Sequence, residues 1–263
     1  MAEQKFALVT GASSGIGAEM ARLLAARGYG LVITARRTDR LQALQAEIVA
    51  QHGVAVHVIA QDLAEPGAAA ALYGAVQALG LEVAILVNNA GYGIAGPFLT
   101  MDLPAIGRMF QVNMTTLTEL TQLFAQPMVA RRHGFVLNVA SAAAFLPSPY
   151  VAAYAASKAY VLAFSEALRF ELAASGVSVS TLYPGITATE FNAVAHARTP
   201  AAMDASVLSA RTVAHIGLAG MFAGKRAIVP GWINRINAFF SQVGHRGLIT
   251  WIAGRLLKTA NRL

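Results

Sequence analysis

Cysteine is missing altogether from the 263 residues, so neither disulfides nor thiolate chemistry can operate here, and nothing points to secretion. Charge is sparse as well: 13% of residues are charged against 56% apolar, which excludes a disordered chain and predicts a large buried core. Acidic side chains stop at Asp204, while eight Lys and Arg follow it. The net charge of +7 therefore belongs to the C-terminal end, and a basic surface gripping nucleic acid along the chain is not expected. Two uncharged runs, 83–101 and 134–157, contain Asn, Gly or Pro and read as strand plus loop rather than membrane-spanning helices. The histidines show no HxxEH or HxH spacing, so no metal is expected. Met1–Thr10 carries no basic stretch followed by a long apolar run, so no signal peptide is expected and the chain reads as soluble and cytoplasmic.

What remains is a regular alternation. Phe6–Val9 is a short apolar run that reads as a buried strand and feeds Gly11-Ala12-Ser13-Ser14-Gly15-Ile16-Gly17, after which 18–27 has helical spacing. Strand, glycine turn and helix bring backbone N–H groups and a helix N-terminus up to a phosphate. No Lys-Ser/Thr follows the glycines, which excludes a hydrolytic P-loop. Further strands are predicted at 31–34, 54–58, 83–87, 135–139 and 177–182, with helices between them, including one long helix over 102–131. This order is that of a parallel sheet wrapped by helices. At the end of the second strand stand Arg36 and Arg37, where a carboxylate would bind the adenosine ribose of NAD. They either open the next helix or pair with a 2′-phosphate; after the glycine turn the phosphate is favoured, and with it NADP(H).

Tyr154 and Lys158 fall four residues apart, on one face of a predicted helix. An ammonium beside a phenol predicts a lowered phenol pKa, suited to acid/base work near neutral pH. Ser141 ends the fifth strand, at the sheet edge where ligands bind in open parallel sheets. Asn113 is a polar residue that the apolar stripe of its helix does not explain.

Thr10-Gly11-Ala12-Ser13-Ser14-Gly15-Ile16-Gly17, Asn88-Asn89-Ala90-Gly91, Asn113, Ser141, Tyr154-(x)3-Lys158 and Pro184-Gly185 together resemble the short-chain dehydrogenase/reductase family, from about Lys5 to a seventh strand at 227–229. The resemblance implies an α/β, Rossmann-type doubly wound parallel sheet of about seven strands. It further implies that Tyr154 is the acid/base and Ser141 binds the substrate oxygen. Lys158 would hold the nicotinamide ribose, and Asn113 a water that returns protons. For the NADP(H) cofactor it implies contacts from Gly11, Ser13, Ser14, Gly15, Ile16, Gly17, Arg36, Arg37, Asp62, Leu63, Asn89, Ala90, Gly91, Pro184, Gly185, Ile186 and Thr187. The activity implied is interconversion of a ketone and a secondary alcohol by a homodimer or homotetramer. The alternatives are a non-catalytic NADP(H)-binding regulator and a membrane-surface-associated scaffold of the same family.

The substrate rim is expected at Tyr92, Ala142, Ala143, Phe145, Tyr150 and Phe191, with His196 a solvated loop residue. These are mostly apolar, which suggests a hydrophobic ketone or alcohol, because a desolvated charge would need a partner. Residues 1–231 read as one domain and 232–263 as an amphipathic helical extension. The extension is expected to pack on the fold or on a second subunit, or to rest on anionic lipid as a peripheral membrane contact.

Overall fold

The computed structural model describes residues 4–191, 206–243 and 246–261. Strand β1 (Phe6–Thr10) is buried at every position, as a strand covered on both faces must be. On one side it pairs with β2 (Gly30–Ala35), beyond which lies β3 (Val56–Ala60); on the other it pairs with β4 (Val83–Asn88). Beyond β4 follow β5 (Gly134–Val139), β6 (Val177–Leu182) and the short β9 (Ala227–Ile228). All seven strands are parallel, in the order β3-β2-β1-β4-β5-β6-β9, and the winding reverses between β1 and β4. A small parallel ribbon joins β7 (Thr187–Ala188) to β8 (Leu208–Ser209).

Parallel neighbours need crossovers, and helices supply them. On one face α1 (Gly15–Ala25), α2 (Thr38–His52) and α7 (Ala210–Phe222) bury Met20, Leu24, Leu41, Ile48, Val213 and Leu218 against the sheet. On the other, α3 (Ala68–Ala78) and α5 (Leu117–Ala130) bury Leu72, Val76, Leu120, Phe124 and Met128. Each such side chain contributes roughly 1.5–3 kcal/mol of transfer free energy. Helix α6 (Ala152–Glu171) packs Val161 beside Leu117, Ala140 and Tyr183.

Two expected elements differ. The third strand starts at Val56 rather than at 54, because α2 runs to His52 and ends on Gly53 in the left-handed region (φ +65). The long helix over 102–131 is divided: α4 (Leu103–Phe110) passes into a π-turn at Gln111–Thr116 before α5 begins. Its apolar stripe continues through the π-turn, so hydrophobic spacing alone cannot reveal it. At the far end α8 (Trp232–Val243) lies against the turn at Ala142–Phe145, and Gly254 of α9 (Arg246–Asn261) faces Pro149. Among the described residues no helix is long and apolar enough to cross a membrane.

Candidate active site

The C-terminal ends of β1, β4, β5 and β6 converge, and the glycine turn sits where the winding reverses. Gly11 (φ +66) and Gly15 (φ +58) adopt left-handed conformations that cost other residues strain. A Cβ on Gly11 would also stand 2.9 Å from the Ala90 Cα. Asn89 ties the turn to β4: its Nδ2 donates to the carbonyls of Thr10 (2.9 Å) and Gly11 (3.2 Å). The backbone N–H groups of Asn89 and Ala90 both donate to Thr10 Oγ1 at 3.0 Å. Below them Asn88 Nδ2 donates to Thr121 Oγ1 and Asn138 Oδ1, each at 2.9 Å, and Asn138 Nδ2 passes the chain to Ser165 Oγ. Fully buried polar groups of this kind lock β4, β5 and α6 in one relative position.

That lock positions the reactive groups. Ser141 follows β5, caps the Ala142–Phe145 turn and accepts the Ala143 N–H at 3.1 Å. Tyr154 and Lys158 sit one turn apart in α6, with Lys158 Nζ 5.9 Å from the Tyr154 ring centroid. Lys158 Nζ donates to the Val139 carbonyl at 2.9 Å. Asn113, in the π-turn and fully buried, donates from Nδ2 to the Tyr92 carbonyl and to Ser157 Oγ, each at 3.0 Å, while its Oδ1 accepts the Tyr92 N–H. Ser157 Oγ in turn donates to the Tyr154 carbonyl at 2.7 Å.

The expected lowering of the phenol pKa is not found. Burial pushes Tyr154 up to about 12, and a hydrogen bond with Ser141 offsets this only in part. The physical reason is desolvation, which penalises the phenolate more than the neighbouring dipoles favour it. Desolvation likewise brings the Lys158 ammonium down to about 8.

A cavity of about 810 Å³ joins these groups to the glycine turn. Its wall includes Gly11, Ser13, Ser14, Gly15, Ile16, Arg36, Arg37, Asp62, Leu63, Asn89, Ala90, Gly91 and Pro184–Thr187 at the nucleotide end. At the other end it includes Tyr92, Ala142, Ala143, Phe145 and Phe191, the last with its ring 5.5 Å from that of Tyr154. Gly17 and Asn113 lie behind this wall rather than in it; a Cβ on Gly17 would meet the Gly11 carbonyl at 2.5 Å. Tyr150, expected on the substrate rim, is not part of the wall. It takes φ +64 and its carbonyl accepts the Gly96 N–H at 2.8 Å, so a turn fixes it while Ser148 and Val151 face the cavity. His196 lies outside the described residues. A shallower groove of about 520 Å³ along β3 gathers none of these groups.

Several wall residues carry no sequence signal. Ile233, Asn234 and Ala238 of α8 and Ala253 of α9 close the substrate end, and Asn234 packs directly on Gly185. Glu190 reaches the nucleotide end through Arg37 and Arg40. The donor set suits a nicotinamide dinucleotide: a glycine cradle with little room for side chains, and guanidinium groups at the end of β2. Among the described residues no cluster of His, Asp and Glu is placed to hold a metal ion.

A doubly wound sheet with a glycine turn at its switch point has the architecture of a dinucleotide-binding fold, and Ser141 after β5 and Tyr154 and Lys158 of α6 line the cavity that adjoins that turn. Residues 5–200 match the short chain dehydrogenase family, and the chain belongs to that family. It is 34% identical over 195 residues to the very-long-chain 3-oxoacyl-CoA reductase of Anas platyrhynchos, covering 72% of this chain and 62% of that relative. The corresponding human reductase is 34% identical over 192 residues, covering 71% and 60%. The match thus spans about three-fifths of these curated relatives' length. A solved short-chain dehydrogenase from Sphingobium yanoikuyae, in complex with NADPH, superposes with a TM-score of 0.82 at 32% identity over 94% of this chain and 95% of that one. A bulky-bulky ketone specific alcohol dehydrogenase from Comamonas testosteroni superposes with a TM-score of 0.79 at 28% identity, covering 95% and 94%.

Proposed function

We propose that this chain is an NADP(H)-dependent oxidoreductase that interconverts a bulky hydrophobic ketone and its secondary alcohol. The observation that carries the proposal is the single cavity in which Ser141, Tyr154 and Lys158 adjoin the glycine turn and Arg36 and Arg37. NADPH, when bound, supplies the hydride. Ser141 Oγ donates a hydrogen bond to the carbonyl oxygen and stabilises the negative charge that develops there. Tyr154, with its pKa near 12, is protonated at neutral pH and gives its proton to that oxygen. The Lys158 ammonium then stabilises the phenolate left behind, at 5.9 Å from the ring. Asn113 holds Tyr92 and Ser157 in place behind them.

The named substrate classes of the relatives, a long 3-oxoacyl thioester and a bulky ketone, support an extended apolar substrate. So do Phe145, Phe191, Ile233 and Ala253 on the wall. A panel of ketones and alcohols with NADPH and NADH, followed by nicotinamide absorbance, tests the reading. The expected result is turnover of bulky ketones with NADPH, and no turnover of any member would discard it.

The second part of the proposal is a peripheral contact with anionic lipid through residues 232–263, on a chain that is otherwise cytoplasmic and assembles as a homodimer or homotetramer. Trp232, Ile236, Trp251 and Ile252 are exposed beside Arg235 and Lys258, and no acidic residue follows Asp204. The full chain should sediment with phosphatidylserine vesicles and not with phosphatidylcholine vesicles, and Trp251→Glu should release it. Equal sedimentation with both, or with neither, would retire the lipid contact.

A further inference from the structure

Three consecutive residues after β7 touch three different parts of the site. Thr189 packs on Gly15, so that a Cβ there would lie 3.0 Å from its methyl group. The Phe191 ring lies 5.5 Å from that of Tyr154, tilted by 53°. Between them Glu190 accepts hydrogen bonds from Arg37 Nη1 (2.8 Å) and Arg40 Nη1 (2.6 Å). Ion pairs this exposed contribute little to stability, so their position matters more than their strength.

That position is the nucleotide end of the cavity. The other guanidinium nitrogens of Arg37 are already directed at the glycine turn: Nη2 donates to Ser14 Oγ at 2.9 Å and to Ser13 Oγ at 3.1 Å. With Arg36 on the same wall, this is the concentration of donors that a phosphomonoester on the adenosine ribose would seek. The Glu190 carboxylate answers the same donors, and the two arginines, Arg40 foremost, hold its pKa down to about 2, so it stays anionic at any working pH.

We infer that Glu190 is an internal competitor for the 2′-phosphate, a specificity-determining residue that weakens NADP(H) binding and narrows the margin over NAD(H). The inference rests on the NADP(H) reading above. A dinucleotide without the phosphate leaves the Glu190–Arg37 pair intact, whereas one with it must displace the carboxylate or share the guanidinium. A charged hydrogen bond recovered in an exposed, salt-screened setting corresponds to a change of roughly three- to tenfold in affinity.

The test is equilibrium binding, with no substrate present. Isothermal titration of wild type and Glu190→Gln with NADPH, NADH and adenosine 2′,5′-bisphosphate should show the variant binding both phosphomonoesters about three- to tenfold more tightly, with NADH unchanged. The gain should shrink as salt is raised, and it should vanish in an Arg37→Ala background. Glu190→Asp, which keeps the charge on a shorter arm, serves as the folding control and should fall between the two. Tight NADPH binding of equal strength in wild type and Glu190→Gln would overturn this inference alone, as would an equal gain for NADH. Absence of any nucleotide binding in wild type would overturn it together with the cofactor reading.

Discussion

Replacing Tyr154 with Phe removes one phenolic O–H and little else. The ring keeps its neighbour Phe191 at 5.5 Å and its place beside Lys158, and only the hydrogen bond with Ser141 is lost. One such bond is worth about 1 kcal/mol, which moves the unfolding midpoint of a domain this size by roughly 2–4 °C. On the proposed mechanism the chemical consequence is far larger, because the group that would protonate the alkoxide is gone while the hydride donor can still bind. A positioned acid contributes about 10²–10⁴-fold, equivalent to roughly 3–5 kcal/mol of barrier at ~1.36 kcal/mol per decade. Steady-state reduction of a bulky ketone by NADPH should therefore fall by about two to four orders of magnitude in kcat, with NADPH affinity within about threefold of wild type. Retention of more than about a tenth of wild-type turnover would refute the assignment of the phenol as proton donor. In wild type the pKa near 12 gives this a direction: the acid form persists across neutral pH, so reduction is not limited there by Tyr154, while alcohol oxidation, which needs the phenolate, should accelerate as pH rises toward 12.

The buried ammonium gives a stability test. Lys158 has its pKa depressed from 10.5 to about 8, so the folded state holds fewer protons than the unfolded one between those values, and stability declines as pH falls through that window. Lys158→Met should abolish turnover yet stabilise the nucleotide-free protein by ~1–3 kcal/mol below about pH 8, a gain that fades toward pH 10.5 in urea titrations. Arg36→Asp should weaken NADPH binding by roughly 10- to 100-fold and leave NADH binding far less affected, measured by titration; an unchanged ratio would place the phosphate elsewhere. Gly185→Ala puts a methyl group into the Asn234 side chain, which is buried and donates to the Pro230 carbonyl at 2.8 Å. It should lower the unfolding midpoint, and adding Asn234→Ala should restore part of that loss; additive effects would show that the two residues do not meet.

The strands at 83–87 and 177–182, the glycine turn, and the order Ser141, Tyr154, Lys158 are legible in the chain because each rests on local chemistry. Buried parallel strands are short apolar runs, left-handed turns call for glycine, and residues four apart on a helix share a face. Local patterning said nothing of the π-turn around Asn113, since an apolar stripe looks the same whether the helix slips by one residue or not. Nor could it place Tyr150, whose backbone carbonyl is engaged by Gly96.

The ionisation of the site lies beyond local patterning for a related reason. The pairing of Tyr154 with Lys158 is a matter of spacing, but the sign of the phenol's pKa shift depends on how much water the surrounding fold removes. Membership in the sheet, the order of motifs and the cationic end of β2 were thus determined by the sequence itself. Burial, the wall made by Ile233, Asn234, Ala238 and Ala253, and the reach of Glu190 to Arg37 across 153 residues were decided only by tertiary structure, because contacts at that separation leave no periodic trace in the chain.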